Sequence, residues 1–91
     1  MIKIVTVCGN GIGSSLLLKM KVEALAESIG LDAEVESSDS NAAVGKDADL
    51  YVTVNEFKSI FPDNKKVAIV RSYTNRKKIE EDLKDILESM K

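Results

Sequence analysis

Apolar residues along this chain alternate between short β-branched runs and longer segments with helical spacing. Ile2 to Val7 is nearly continuous in apolar character, which is typical of a strand buried on both faces. A helix is predicted to begin at Ser14 or Ser15, which can cap it, and to end at Gly30. Its predicted buried face consists of Leu18, Val22, Leu25 and Ile29. The N-terminal third therefore predicts a strand, a loop and an amphipathic helix.

The rest of the chain repeats this alternation with shorter elements. Asp32 to Ser37 alternates apolar and acidic residues, which predicts a half-exposed edge strand. Ser38 to Asp47 is polar and predicts a loop with at most a short helix at Asn41 to Val44. The remaining predicted elements are strands at Leu50 to Val54 and Val67 to Val70, a short helix at Asn55 to Phe61 ended by Pro62 and Asp63, and a last helix capped by Thr74 or Asn75 with a buried face of Ile79, Leu83, Ile86 and Met90.

Strands that alternate with helical segments predict βαβ units and a parallel sheet. We expect an α/β fold, Rossmann-like, with four parallel strands in the order 2-1-3-4 and helices on both faces. The length of 91 residues fits a single small domain that spans residues 1–91. Ligands bind beyond the carboxyl ends of the strands in such sheets, and Cys8 lies at that end of the first strand.

The segment that follows the first strand has the composition of an anion site. Glycines at 9, 11 and 13 let backbone N–H groups turn inward, and the helix N-terminus adds positive charge at the same point. The same field stabilises a thiolate on Cys8 and makes it a better nucleophile. Alternatively, Cys8 is a small buried apolar residue and the glycines serve tight packing. The candidate phosphate-binding residues are Gly9, Asn10, Gly11, Ile12, Gly13, Ser14 and Ser15.

Three known phosphate motifs were compared with this loop. The Walker sequence is absent, and the dinucleotide fingerprint G-x-G-x-x-G fails at its last position, Ser14. The spacing resembles the C-x5-R loop of the low-molecular-weight tyrosine phosphatases, whose fold is also a candidate, but Ser14 replaces the arginine. Without that arginine the site suits a phosphoryl relay better than a hydrolase. A cysteine phosphatase-like hydrolase and a non-catalytic regulatory or nucleotide-binding module remain the alternatives.

Composition removes several classes of function. The sequence contains no histidine and only one cysteine, which excludes an internal disulfide, a Cys/His zinc site and a Cys-His pair within the chain. The net charge of −2 lacks the basic excess of a nucleic-acid binder. No stretch approaches the roughly 18 apolar residues of a membrane span, and no signal-peptide layout is present. We expect a cytoplasmic monomer without metal, cofactor or direct membrane insertion.

The run from Cys8 to Ser15, followed by Leu16-Leu17-Leu18-Lys19-Met20-Lys21-Val22, closely resembles the IIB components of the bacterial phosphoenolpyruvate-dependent sugar phosphotransferase system (PTS). It is most similar to the L-ascorbate type within the lactose/ascorbate-like IIB proteins, whose loop reads C-G-N-G-x-G-S-S. The resemblance implies a phosphocarrier of the transferase class. Cys8 would accept a phosphoryl group from a phosphohistidine on a IIA partner. Phosphocysteine would then pass it to a sugar, L-ascorbate among the candidates, in a membrane IIC partner.

Residues outside the loop carry weaker signals. Arg71 comes just after the fourth strand, so it is predicted to lie on the same edge of the sheet as Cys8. There it would contact the phosphoryl group or a partner's acidic patch, and the alternative is an ordinary surface arginine. Arg76, Lys77 and Lys78 open the last helix, where each cation opposes the helix dipole by about 0.3–1 kcal/mol. We interpret them as a solvated face, with a docking surface as the alternative. Ile12 and Leu16 are candidate apolar contacts for partners.

Overall fold

The computed structural model describes residues 2–8, 14–61, 65–71 and 76–90, and for residues 8, 14, 15, 40, 56–58 and 76 it describes the backbone. Its elements are β1 (Ile2–Cys8), α1 (Ser14–Ser28), β2 (Ala33–Asp39), α2 (Ser40–Val44), β3 (Leu50–Thr53), a 3₁₀ helix (Asn55–Ile60), β4 (Val67–Ile69) and α3 (Arg76–Ser89). The predicted order of strands and helices is confirmed. The predicted stop at Pro62 and Asp63 and the predicted caps Thr74 and Asn75 lie outside the described residues.

The four strands form one parallel sheet in the order β2-β1-β3-β4, as the sequence predicted. Seven residues of β1, Ile2 to Cys8, pair with Ala33 to Asp39 of β2. On its other side β1 pairs with β3 through Ile4 to Thr6 and Leu50 to Val52. β1 is therefore an interior strand, and β2 is the predicted edge strand.

Two hydrophobic clusters cover the two faces of the sheet. The larger cluster packs α1 and α3 against one face, and the smaller packs α2 and the 3₁₀ helix region against the other. Side chains alternate between them along each strand, so that Ile4 belongs to the first cluster while Val5 and Val7 belong to the second. In the second cluster, the Tyr51 and Phe61 rings pack with centroids 4.7 Å apart. Helices therefore cover both faces, as predicted.

A glycine cap ends α1 where the sequence predicted it. Gly30 has a left-handed φ of 77°. Its N–H donates to the Glu27 carbonyl at 3.1 Å, and the Leu31 N–H donates to the Ala26 carbonyl at 2.9 Å. This is the Schellman arrangement, in which the chain reverses and leads Leu31 into the core.

The structure corrects several predicted boundaries and extends one predicted buried face. β2 runs to Asp39 rather than Ser37, because it stays paired with β1 as far as Cys8. β3 and β4 each end one residue earlier than predicted. In α3 the fully buried residues are Ile79, Leu83 and Leu87, whereas Ile86 and Met90 are partly buried. The predicted face thus does pack against the core, and the structure adds Leu87 to it as a fully buried residue.

Candidate functional site

The candidate site lies at the carboxyl edge of the sheet. Cys8 is the last residue of β1, and α1 begins at Ser14. The predicted strand–loop–helix order is therefore present, with Ser14 and Ser15 in the first turn of the helix. The remaining predicted phosphate-binding residues, Gly9, Asn10, Gly11, Ile12 and Gly13, lie outside the described residues. What the structure fixes is the strand end and the helix start between which they lie.

A buried threonine holds the end of β1. The Thr53 hydroxyl donates to the Val7 carbonyl at 3.1 Å, and the Thr53 side chain is inaccessible to solvent. This bond continues the contact between β3 and β1 beyond their last paired residues, Thr6 and Val52. It fixes the peptide group that leads into Cys8. Sequence reasoning treated Thr53 as part of an apolar strand, although a hydroxyl at a strand's carboxyl end was an available signal.

A carboxylate lies on the strand beside Cys8. In the parallel register Cys8 is paired with Asp39, the last residue of β2. The Asp39 carboxylate accepts the Ala42 N–H at 2.7 Å and caps α2, with Asp39 itself in extended conformation. The Asp39 carboxylate thus caps α2 immediately after β2 ends. Sequence reasoning missed this residue because it ended β2 at Ser37.

Arg71 follows β4 at the same edge, but its guanidinium is bound within the chain. Its Nε donates to both carboxylate oxygens of Asp82 at 3.1 Å, and its Nη2 donates to Glu81 at 3.1 Å. The Arg71 backbone N–H also donates to Asp82, at 3.0 Å. These bonds tie the end of β4 to the middle of α3. They also place the carboxylates of Asp82 and Glu81 against the Arg71 guanidinium, so that its positive charge is largely neutralised within the chain.

The same contacts shift the ionisation of both groups. Partial burial acts to raise the pKa of Asp82, but the hydrogen bonds from Arg71 outweigh it and hold that pKa below its ordinary value. The Asp82 side chain is only 16% exposed, which leaves little water to compete with these bonds. The hydrogen bond to Asp82, followed by that to Glu81, raises the pKa of Arg71. Asp82 is therefore ionised near neutral pH.

These features define a class of protein. A parallel α/β sheet presents a cysteine at the carboxyl end of its first strand, and a helix that begins six residues later points its N-terminus toward the same edge. That arrangement is typical of sites where a cysteine exchanges an anionic group.

Comparison with known proteins identifies the family. The family model described as "PTS system, Lactose/Cellobiose specific IIB subunit" matches residues 3–85. The chain is 36% identical over 69 residues to the "Ascorbate-specific PTS system EIIB component" of Mycoplasma pneumoniae (strain ATCC 29342 / M129 / Subtype 1). The aligned residues cover 74% of this chain and 73% of that relative. The chain therefore belongs to the IIB subunits of the sugar phosphotransferase system, as the loop sequence predicted. Members of this family are phosphotransferase components of sugar transport.

The helices were also compared with the requirements of a membrane span. None of the helices in the described parts of the chain has the length and apolar character needed to cross a bilayer.

Proposed function

We propose that Cys8 carries a phosphoryl group between two partner proteins. Cys8 accepts the group from a phosphohistidine of a IIA protein and delivers it to a sugar bound in a membrane IIC protein. Family membership supports the transfer of phosphoryl groups, and the position of Cys8 at the carboxyl end of β1 carries the assignment of the acceptor. The absence of histidine from the sequence agrees with a donor histidine on another protein.

Each transfer is an in-line displacement at phosphorus. In the first, the Cys8 thiol gives its proton to solvent, and the thiolate sulfur attacks the phosphorus of the phosphohistidine. An S–P bond forms as the P–N bond breaks, and the electron pair of that bond remains on the imidazole nitrogen of the donor. In the second, a sugar hydroxyl oxygen attacks the phosphorus and gives its proton to solvent, an O–P bond forms as the S–P bond breaks, and the electron pair of that bond leaves on Cys8 as thiolate.

The loop after Cys8 supplies the phosphate cradle in this proposal. Backbone N–H groups of Gly9 to Ser15 surround the phosphoryl oxygens, and the hydroxyls of Ser14 and Ser15 add further donors. The N-terminus of α1 contributes positive charge that stabilises both the thiolate and the bound phosphoryl group. Ser14 in place of an arginine leaves the bound group poorly activated toward water. The phosphocysteine then survives long enough to meet the next acceptor.

L-Ascorbate is the sugar we propose for the membrane partner, because the 36% identical relative is described as ascorbate-specific. The matching family model names lactose and cellobiose, and these are the comparison substrates. We further propose that residues 1–91 act as one cytoplasmic, monomeric domain. Membrane vesicles that contain the IIC partner should then phosphorylate L-ascorbate from the phosphorylated chain, and should leave lactose and cellobiose unchanged.

Mass spectrometry of the intact protein tests the acceptor. The chain is incubated with phosphoenolpyruvate, the general phosphotransferase proteins and a IIA subunit. We expect the mass of one phosphoryl group on the wild-type chain, localised to Cys8 by fragmentation, and none on Cys8→Ala. A phosphoryl group that persists in Cys8→Ala, or a wild-type chain that never gains one, would overturn the proposal.

A chromogenic phosphate ester separates the relay from a cysteine hydrolase. The relay predicts almost no turnover of p-nitrophenyl phosphate by the wild-type chain, because no arginine stabilises the transition state of hydrolysis. Sustained turnover that disappears in Cys8→Ala would instead establish a phosphatase. Nucleotide binding that is indifferent to Cys8→Ser, measured by calorimetry, would favour the regulatory module.

A further inference from the structure

The first half of α1 carries a second apolar face. Among the described residues, three of the four exposed large apolar side chains lie there: Leu16 is 51% exposed, Leu17 44% and Met20 58%. Met20 follows Leu17 and Leu16 by three and four residues, so the three side chains are neighbours on the helix surface. The core side of the same helix is occupied by Leu18 and Val22, which are fully buried. This surface, the rim patch, thus points away from the sheet and lies in the half of α1 nearest its N-terminus.

Basic residues flank the rim patch. At about 100° per residue, Lys19 and Lys21 lie on opposite sides of it, and the Lys19 ammonium also pairs with the Glu23 carboxylate at 3.2 Å. Lys77 and Lys78 are exposed in the first turn of α3, which packs beside α1 on the same face of the sheet. β1 and β4, which precede these two helices, are separated only by β3. The strands that lead into α1 and α3 are thus two strand spacings, roughly 10 Å, apart, and the two helices share one hydrophobic cluster.

The charges along both helices run against the helix dipole. Neither α1 nor α3 has an acidic residue in its first turn or a basic residue in its last. Acidic residues instead follow the lysines, as Glu23 and Glu27 do in α1. Helix stability favours the reverse order. A solvated face, our interpretation from the sequence, explains why Lys77 is exposed but not why its charge has the unfavourable sign.

We propose that the rim patch, bordered by Lys77 and Lys78, is the docking surface for the phosphodonor protein. This inference rests on the proposed function. The donor's matching surface is apolar at its centre and acidic at its border, around its phosphorylated side chain. Complementary charge at such a border accelerates encounter and sets orientation, while the apolar centre supplies contact area.

The order of the two transfers favours the donor over the membrane partner as the occupant. The donor arrives with an anionic phosphoryl group while Cys8 is still empty, so the positive rim attracts it at full strength. After the transfer, the phosphoryl group on Cys8 carries a charge of about −1.5 to −2 beside the rim. The same field is weakened once the group has been transferred, which promotes release of the spent donor. The membrane partner meets only the phosphorylated chain, in which this attraction is reduced.

The test measures phosphoryl transfer from phosphorylated IIA protein to the full chain as the donor concentration is varied. Lys77→Glu should raise the donor concentration at half-maximal rate by roughly threefold or more, leave the maximal rate unchanged, and reduce the salt dependence of the rate. Met20→Gln should raise the same concentration without changing the salt dependence. The matched controls are Lys84→Glu, an equal charge change later in α3, and Val44→Gln, an exposed apolar residue on the opposite face of the sheet.

Each outcome separates docking from the relay itself. If the wild-type chain accepts no phosphoryl group, the proposed function fails. If it does, and Lys77→Glu and Met20→Gln behave like their controls, the docking proposal alone is overturned. It is equally overturned if these variants slow only the later transfer to sugar in IIC vesicles, because the surface then serves the membrane partner. Lys77→Glu should also keep or raise the unfolding temperature, since a negative charge suits a helix N-terminus, so that misfolding cannot imitate the expected effect.

Discussion

Gly30→Ala isolates the contribution of a single backbone conformation. Gly30 has a φ of 77°, and an alanine Cβ at this position would meet no heavy atom within 4 Å. The left-handed conformation destabilises a residue with a side chain by about 1–2 kcal/mol. The reduced entropy of the unfolded alanine chain offsets about 0.4–1 kcal/mol of this. The net loss in the free energy of unfolding is thus about 1 kcal/mol, which lowers the Tm of a domain of this size by about 4–8 °C.

Gly45→Ala is the matched control, because Gly45 also ends a helix but has a right-handed φ of −91°. A Cβ added at Gly45 would lie 3.8 Å from the nearest heavy atom, the Ala42 carbonyl oxygen, which is an ordinary contact. Alanine there should raise stability by about 0.4–1 kcal/mol. Urea unfolding followed by circular dichroism measures both variants, and Gly30→Asn should lose less than Gly30→Ala since asparagine tolerates the left-handed region. Equal changes in the two alanine variants would refute the reasoning.

Two further predictions concern ion pairs. The hydrogen bond from Lys46 at 2.6 Å, opposed by partial burial and aided by Lys46 and Lys3 charges, lowers the pKa of Glu36 in the folded protein. Because this pKa is lowered on folding, the ionised Glu36 stabilises the folded protein above the pKa of the unfolded chain, and this stabilisation is lost as the pH falls through the folded pKa. Thermal unfolding curves of wild type and Glu36→Gln should therefore differ near neutral pH and converge in acid. Divergence that grows toward low pH would contradict this. Asp82→Asn and Arg71→Lys should both lower the urea midpoint and leave phosphoryl acceptance at saturating donor unchanged, because the Arg71 charge is engaged by Asp82 and Glu81. A loss of acceptance confined to Arg71→Lys would instead indicate direct contact with the phosphoryl group.

Local patterns were sufficient to predict the order of elements and the topology of the sheet. Each β-branched run became a strand, and the alternation with helices allowed few arrangements once crossovers were taken as right-handed. Gly30 was predictable because the left-handed conformation that ends α1 favours a residue without Cβ. The family was predictable because the Cys8 loop is distinctive in itself, and the comparisons confirmed it.

Contacts between distant segments were not predictable in the same way. The Arg71 clamp joins residues 10 and 11 positions apart, and no local periodicity links an arginine after a strand to carboxylates on the next helix. The pairing of Asp39 with Cys8 depends on the register of two strands, which no single segment encodes. The sequence analysis named Leu16 of the rim patch as a candidate partner contact, and Leu17 and Met20 could have been added because they exceed what one buried stripe of α1 requires.

The interior position of β1 also determines which part of the described chain opens last. Hydrogen bonds hold this strand on both sides, and the side chains from Ile4 to Val7 are inaccessible to solvent. Its central amide protons should exchange with deuterium only when the whole protein unfolds. Cys8 is thus the final residue of the strand that is expected to open last. Its backbone therefore keeps its position while less protected described parts of the chain open and close.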